Sequence, residues 1–556
     1  MSRGIAREQK DEADIPCHPK HGGHDPNNPM RDFLRPALLL CVLFGTVATD
    51  AAPTSADLSA LREARRQALD RPRRIIFNND GNEPVYKSED NSPEKFLALR
   101  TSPLVGSQVD SIFYCTWSSG FGLFTHDTKV GQVFATKEAM FATNRTTELL
   151  AAGTDPLKVV TDFGHKHGME VMWSFRMNDT HDGASADYGP VMLRANKLKA
   201  AHPEYLIGTA QKKPKFGVWT AVDYTLPEIR DLAFKYVEEV CQRYDVEGVE
   251  LDFFRHPVFF RRAAMTGTAC DDNERALMTD LIRRIRTMTE AEGLRRGRPF
   301  LIAVRLPDSA EYCRDIGLDL EKWLSEGLVD MLMPSGYFRL NEWDYSVALG
   351  HKYGVKVYPS LDESRVRDLN AKAMRSTVGS YRGRAAAVWQ AGADGVYLFN
   401  SFNPNNPIWK ELGEMRTLTG LDKDYFGSIR GAASASGNSL PYASYVRTSQ
   451  LNPGKVLSLK ADVATTSAFY ANEAELTGRA IKLHIQTKVA TDPAQLLTKI
   501  NGTPLSHPQI EPNNWVSYTL SAADLRPGRN EVELTLTKAA KPNAWTDLRC
   551  SVRASK

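Results

Sequence analysis

The sequence predicts an α/β fold, a (β/α)8 TIM barrel followed by a smaller C-terminal antiparallel β-sandwich, and three observations carry that prediction. From residue 74 to 420, short apolar runs alternate with amphipathic helical segments, the rhythm of parallel strands joined by helices. Almost every run ends in polar or charged residues, and no Gly-x-Gly-x-x-Gly turn follows the first. A doubly wound open sheet would gather its ligand groups at one switch point, whereas a barrel gathers them all round its rim. After Leu421 the texture changes to apolar-polar alternation broken by turn pairs such as Asn501-Gly and Pro527-Gly, which reads as antiparallel strands.

The elements follow in order. Arg74-Ile-Ile-Phe-Asn-Asn-Asp is the first strand, followed by a helix near Pro93 to Arg100, and Ser111-Ile-Phe-Tyr-Cys-Thr-Trp is the second. Asp155 to Gly168 carries proline at its start and glycine at its stop, as helices do, and feeds a third strand from Glu170 to Arg176. Pro227 to Tyr244 is an amphipathic helix that feeds the fourth, in the stretch from Tyr244 to Pro257, a buried strand that breaks into a loop where the charged residues collect. Further strands begin at Phe300, Val329, Val355 and Gly395, and a helix near Pro407 to Thr417 closes the count of eight. In the sandwich, runs at Val456, Ala480, Trp515 and Asn530 alternate. It reads as a module packed on the barrel, with a carbohydrate-binding use of Trp515 or Trp545 as the sharper reading. The expected domains are 1–52, an extension plus signal peptide; 53–420, the barrel catalytic domain; and 421–556, the accessory sandwich.

Composition bounds the function. With 556 residues, 42% hydrophobic, 25% charged and a net charge of +3, the chain is ordinary globular protein, and it has no long basic run with interleaved aromatics to suggest nucleic acid. Met30 opens a basic start, an apolar run and a small-residue tail, the layout of a secretory signal. The expectation is a start at Met30, cleavage after Ala51 or Ala52, and export to the periplasm or outside the cell. The apolar run is too short for a stable membrane span. Cys17, His18, His21 and His24 are then no metal site, and Leu40 before Cys41 disfavours a lipoprotein. Cys115 and Cys241 sit in core contexts, while Cys270 and Cys313, in the loops after strands four and five, are expected to lie close enough to bond. The oligomeric state is not legible.

The chemistry collects at the fourth strand. Side chains alternate across a strand, so Gly248, Glu250 and Asp252 share one face. Acids inside a strand are costly unless paired or used, and barrel enzymes keep their chemistry at the C-terminal strand ends. Arg176 and Arg305, ending strands three and five, are expected to converge with Glu250 and Asp252; the bland reading of the four is an ion-pair layer plugging the barrel. Glycoside hydrolysis needs two carboxyls roughly 5 to 9.5 Å apart, and strand seven faces strand four, so Asp252 with Glu363 is the leading pair, with Asp362 or Asp308 as alternatives. For stacking on sugar, the rim offers Trp117, Tyr337 and Phe338. For hydrogen bonding it offers Asn78, Asp80, Asn178, Asp179, His181, Ser335 and Asn400, with Arg176, Arg255, His256, Arg305 and Asp308 completing the substrate-binding set. Metal is the rival use of Asp179, His181 and His256. No zinc or calcium spacing is present, so no cofactor and no catalytic metal are expected, with a structural calcium left open.

Ala221-Val-Asp-Tyr-Thr-Leu-Pro-Glu-Ile-Arg-Asp, Arg243-Tyr-Asp-Val-Glu-Gly-Val-Glu-Leu-Asp-Phe and Gly327-Leu-Val-Asp-Met-Leu-Met-Pro-Ser-Gly-Tyr resemble the blocks of the glycosyl-hydrolase-like family 10 barrels over residues 74 to 420. The resemblance implies a secreted glycosidase on polysaccharide, with its active-site acid at Asp252. Glu250, Phe253 and Phe254 depart from the family pattern. Three functions follow as expectations: a glycoside hydrolase, a non-catalytic glycan-binding barrel, or a lyase or esterase that holds an acidic polysaccharide with Arg176 and Arg305. The absence of a Gly-x-Ser-x-Gly elbow lowers the esterase reading.

Overall fold

All eight barrel runs form strands: β1 Ile75–Asp80, β2 Val109–Cys115, β3 Glu170–Arg176, β4 Gly248–Asp252, β5 Leu301–Leu306, β6 Met331–Pro334, β7 Lys356–Val357 and β8 Val396–Phe399. The computed structural model describes residues 54–116, 120–334, 339–361, 369–399, 401–427, 439–441, 443–445, 457–471, 476, 478–538 and 540–554, which belong to one compact unit. The strands pair in parallel in the order β8-β1-β2-β3-β4-β5-β6-β7. The remaining seam is joined by a parallel bridge from Ser360 to Tyr397. Backbone N–H groups of Asp394, Tyr397 and Leu361 donate to the carbonyls of Val357, Pro359 and Tyr397, each at 3.0 Å, so the sheet closes into a barrel.

Burial explains why the strands read as unbroken apolar runs. Ile75, Phe77, Val171, Trp173, Val249, Leu251, Ile302 and Val304 face the surrounding helices. Ile76, Phe113, Met172, Ala303, Met333, Tyr397 and Phe399 fill the interior, and a strand covered on both faces has no polar stripe to show. The N-terminal end is plugged by Arg73, whose guanidinium donates to Glu170 at 2.7 Å while Ser111 Oγ donates to the same carboxylate at 2.8 Å. Beside it lies helix α1 Ser55–Leu69, capped by Thr54 and Asp57, which the sequence reading did not single out. Helix α2 Pro227–Arg243 leads into β4, and helix α3 Asp272–Arg296, opened by an Asp271–Glu274 capping box, leads into β5. Among the described residues, no helix is long and apolar enough to cross a membrane.

The C-terminal strands are β9 Lys423–Phe426, β10 Leu457–Leu459, β11 Thr465–Ala471, β12 Arg479–Thr487, β13 Leu496–Ile500, β14 Thr503–Pro504, β15 Gln509–Glu511, β16 Trp515–Leu520, β17 Gly528–Leu536 and β18 Asn543–Ala554. They form two antiparallel sheets, β9-β18-β12-β16-β15 with β10 beside β18, and β11-β17-β13-β14. Leu483, Ile485, Tyr518, Val532, Leu534 and Leu548 are buried between them. Barrel helix α4 Val378–Gln390 presses on β9 at Gly383, where an added Cβ would lie 2.1 Å from the Asp424 carbonyl oxygen. A buried Arg375–Asp547 ion pair at 2.9 Å ties the two parts together.

Two expectations are corrected here. Trp545 is fully buried with its Nε1–H donated to the Asp547 carbonyl at 2.9 Å, and Trp515 is 7% exposed, so neither offers a face for a sugar to stack on. Cys270 and Cys313 are free thiols. Their loops do meet, since Cys270 N–H donates to the Asp315 carbonyl at 2.9 Å, but the Cys313 thiol is turned to the Pro307 carbonyl at 3.3 Å.

Candidate active site

At the C-terminal end of β4 the chain turns so that Asp252 collects four hydrogen bonds. Arg305 Nη1 donates to both carboxylate oxygens at 3.0 and 3.1 Å. The backbone N–H groups of Phe254 and Arg255 donate to Oδ1 at 2.9 and 3.1 Å. Register produces the first contact, because Asp252 and Arg305 are paired across β4 and β5; the break in the strand produces the second, because it frees two backbone donors. Arg305 is fixed in turn against the Phe399 ring, 4.0 Å from its centroid.

Glu250 lies one strand repeat deeper on the same face, as alternation requires. It is completely buried, and its Oε2 accepts from Ser174 Oγ at 2.5 Å and from Asn78 Nδ2 at 3.1 Å. Burial, then the neighbouring Asp252 charge, pushes this carboxyl up to about 7. The two acids thus differ in surroundings: Asp252 is held by a guanidinium and two backbone donors, and Glu250 by neutral side chains. Asn78, expected on the rim, is spent inside the barrel on Glu250. Ser174 and Tyr397, which line the Glu250 chamber, were not proposed as site residues, although both fall on inward positions of their strands.

Arg176 departs from expectation. It is paired with Asp252 in the β3–β4 register, yet its guanidinium turns away to Asp80 Oδ2 at 2.6 Å and Asp179 Oδ2 at 3.3 Å. Of the two arginines expected beside Asp252, only Arg305 donates to it among the described contacts. Burial works against the charge of Asp80, but Arg176 and then Arg100 outweigh it and hold the carboxyl below its ordinary value. Arg100, missed in the sequence, donates to the Asp80 carbonyl at 2.5 Å and pairs with Glu83; it sits in a loop after the helix at Pro93, where no strand pattern marks it.

Asp179, His181 and His256 do come together, with one donor atom of each within 4.8 Å of the others. Their hydrogen bonds decide what they offer. His181 Nδ1 lies 2.8 Å from Asp179, and Arg255 Nη2 lies 2.5 Å from His181 Nε2. His256 Nδ1 takes the N–H of Thr180 at 3.1 Å. Burial pushes both imidazoles down, His256 well down, so each is neutral and carries one lone pair. In His181 that pair receives Arg255, and in His256 it receives Thr180. As bonded, the cluster has no imidazole lone pair to give a metal. Burial opposes the charge of Asp179, but the hydrogen bond from His181 and the charge of Arg176 hold it well below the usual range.

Two expected sugar binders hold loops instead. Asn178 donates to the Val222 and Val258 carbonyls at 2.9 and 2.6 Å. Asp308 accepts the N–H groups of Leu340 and Asn341 at 2.9 and 3.0 Å, and burial pushes it up to about 6; it is a loop clamp rather than the acid facing Asp252. The solvent-touched residues of this group are Asp80 and His181, with side chains 10% and 14% exposed, and Arg255. Trp117, Ser335, Tyr337, Phe338, Asp362, Glu363 and Asn400 lie outside the described residues, as do the leader and the Met30 start.

Residues 102–272 match the family model described as Glycosyl hydrolase-like 10, a stretch that ends just past Asp252 and His256, so the resemblance read from the sequence holds there. No curated protein matches the chain. Among solved structures, an Anoxybacillus α-amylase aligns at 11% identity and a TM-score of 0.38, over 86% of this chain and 99% of that one. The glycoside hydrolase domain of PgaB (BpsB) from Bordetella bronchiseptica aligns at 12% and 0.38, over 62% and 99%. A Paenibacillus cycloisomaltooligosaccharide glucanotransferase aligns at 10% and 0.32, over 87% of this chain but 57% of that one, so this chain spans little more than half its length. Likenesses this loose carry no functional argument. Over residues 102–272 the barrel is similar to the Glycosyl hydrolase-like 10 family.

Proposed function

We propose that the barrel is an exported glycoside hydrolase acting on a polysaccharide or oligosaccharide, with Asp252 as the carboxylate at the reacting carbon. The observation that supports this reading is the Asp252 cradle. A carboxylate beside an oxocarbenium-like transition state must stay charged and fixed. Arg305 supplies a counter-charge, and with the N–H groups of Phe254 and Arg255 it holds the carboxylate in place at the strand end where barrels do chemistry.

Glu250 has a different part. It lies two residues, about 6.6 Å, down the same strand, beneath Asp252 and not across a sugar from it. A protonated Glu250 leaves Asp252 the only negative charge on that strand face. The proton donor is then a separate acid, and Glu363 or Asp362, which follow strand seven in the sequence, remains the proposed partner. The lyase reading loses its support, because Arg176 and Arg305 are already engaged by Asp80, Asp179 and Asp252. A panel of neutral and acidic glycans, run with wild type and Asp252→Asn, tests the proposal. Turnover of a glycan that the variant binds but does not cleave is expected; binding without turnover by wild type would make this a glycan-binding barrel instead. N-terminal sequencing of secreted protein tests export, with a start after Ala51 or Ala52 expected.

A further inference from the structure

A second constellation lies on the sandwich, on the face of its larger sheet turned away from the apolar core. Glu511 Oε2 on β15 is 3.1 Å from His484 Nδ1 on β12, and His484 Nε2 is 3.0 Å from Ser551 Oγ on β18. Alternation places all three polar side chains opposite Leu483, Ile485 and Val552, which enter the core. Arg549 is directly across from His484 in the β12–β18 register and two residues before Ser551, hence on the same face. Its Nε has no hydrogen-bond partner, and its Nη1 contact is the Met374 sulfur at 3.9 Å. The guanidinium also lies 5.7 Å from the Trp515 ring centroid, a cation–π contact on the face that carries Ser551.

We propose that Ser551, His484 and Glu511 form a nucleophile, base and orienting acid that hydrolyse a small acyl ester, with Arg549 receiving the oxyanion. The acid–base–hydroxyl chain has the spacing by which such triads are recognised, whatever the order of the residues in the chain. Burial, then Arg549, pushes His484 down to about 4. The imidazole is therefore neutral at pH 7, with Nδ1–H donated to Glu511 and the Nε2 lone pair facing the Ser551 hydroxyl. Ser551 Oγ bonds to the acyl carbon as its proton passes to Nε2. The C–O bond to the alcohol then breaks, and the alkoxide leaves with that proton. Water repeats the sequence on the acyl-serine, releasing the carboxylic acid and restoring the hydroxyl. Ser551 and His484 are 7% and 6% exposed, and Trp515 stands edge-on to His484 with ring centroids 6.4 Å apart, so the acyl group proposed is a small one.

The reading is independent of the barrel chemistry and has its own test. Wild-type protein is treated with a fluorophosphonate and mapped by peptide mass spectrometry, and 4-nitrophenyl acetate hydrolysis is compared with Ser551→Ala and His484→Gln, each checked for a wild-type melt. Phosphonylated Ser551 is expected, with turnover falling about 100-fold or more in both variants. The labelling needs no variant to fold. An unlabelled Ser551, or ester turnover unchanged in folded Ser551→Ala, overturns the proposal and makes the chain a hydrogen-bonded strut.

Discussion

At the scale of single residues, the site separates two carboxyls that the sequence presents as a pair. Asp252→Asn keeps its shape and its backbone donors but removes the counter-charge of a fully buried arginine. We expect turnover to fall at least about 1000-fold and stability to fall by about 3 kcal/mol, read by rate assays on the folded fraction and by denaturant melts. A variant with a near-normal rate per folded molecule would leave only the ion-pair layer. Glu250 sets a pH dependence of known sign. Its folded-state value, about 7, stands above its ordinary 4.5, so between these values the folded form holds a proton that the unfolded chain has lost. Stability therefore falls as pH rises from 4.5 to 7 and levels above that. The contribution is on the order of 3 kcal/mol. Glu250→Gln should abolish this slope, so melts of the two proteins across that window check it; parallel curves would refute the assignment. Asp252 with Arg305 was legible in the sequence because strand neighbours share a register. The swing of Arg176 was not, because a long side chain chooses among several carboxylates in a way that register does not encode.

At the scale of elements, strand positions were readable because a strand buried on both sides has to be apolar throughout, and their polar ends marked the rim. What one strand's sequence could not convey was depth. Asn78 looks like a rim polar group, yet it sits under the mouth beside Ser174, where both donate to Glu250. Asn178 and Asp308 look like sugar binders, yet their loops carry backbone donors and acceptors that would otherwise be unmet. The docking of α4 on β9 rests on the missing side chain of Gly383. Gly383→Ala must push α4 away from the Asp424 carbonyl and should cost about 2 to 4 kcal/mol. A melt in which the sandwich reports earlier unfolding than the barrel is the expected signature, and an unchanged melt would show that the contact yields easily.

At the scale of the whole molecule, the described thiols are all in the interior. Cys115, Cys241, Cys270, Cys313 and Cys550 are buried and form no disulfide. A chain lacking residues 1–52 should show almost no thiol reaction with Ellman's reagent until it unfolds, and then five equivalents; three would mean that Cys270 and Cys313 are joined after all. The barrel's topology also dictates timing. Ile75 on β1 pairs with Val396 on β8, so the first strand synthesised has to wait for the last. At roughly 5 to 20 residues per second, β1 spends on the order of 15 to 60 seconds with that edge unmatched. Throughout that interval the chain cannot close into a ring, and every premature stop before β8 leaves a nascent product that no later contact can seal.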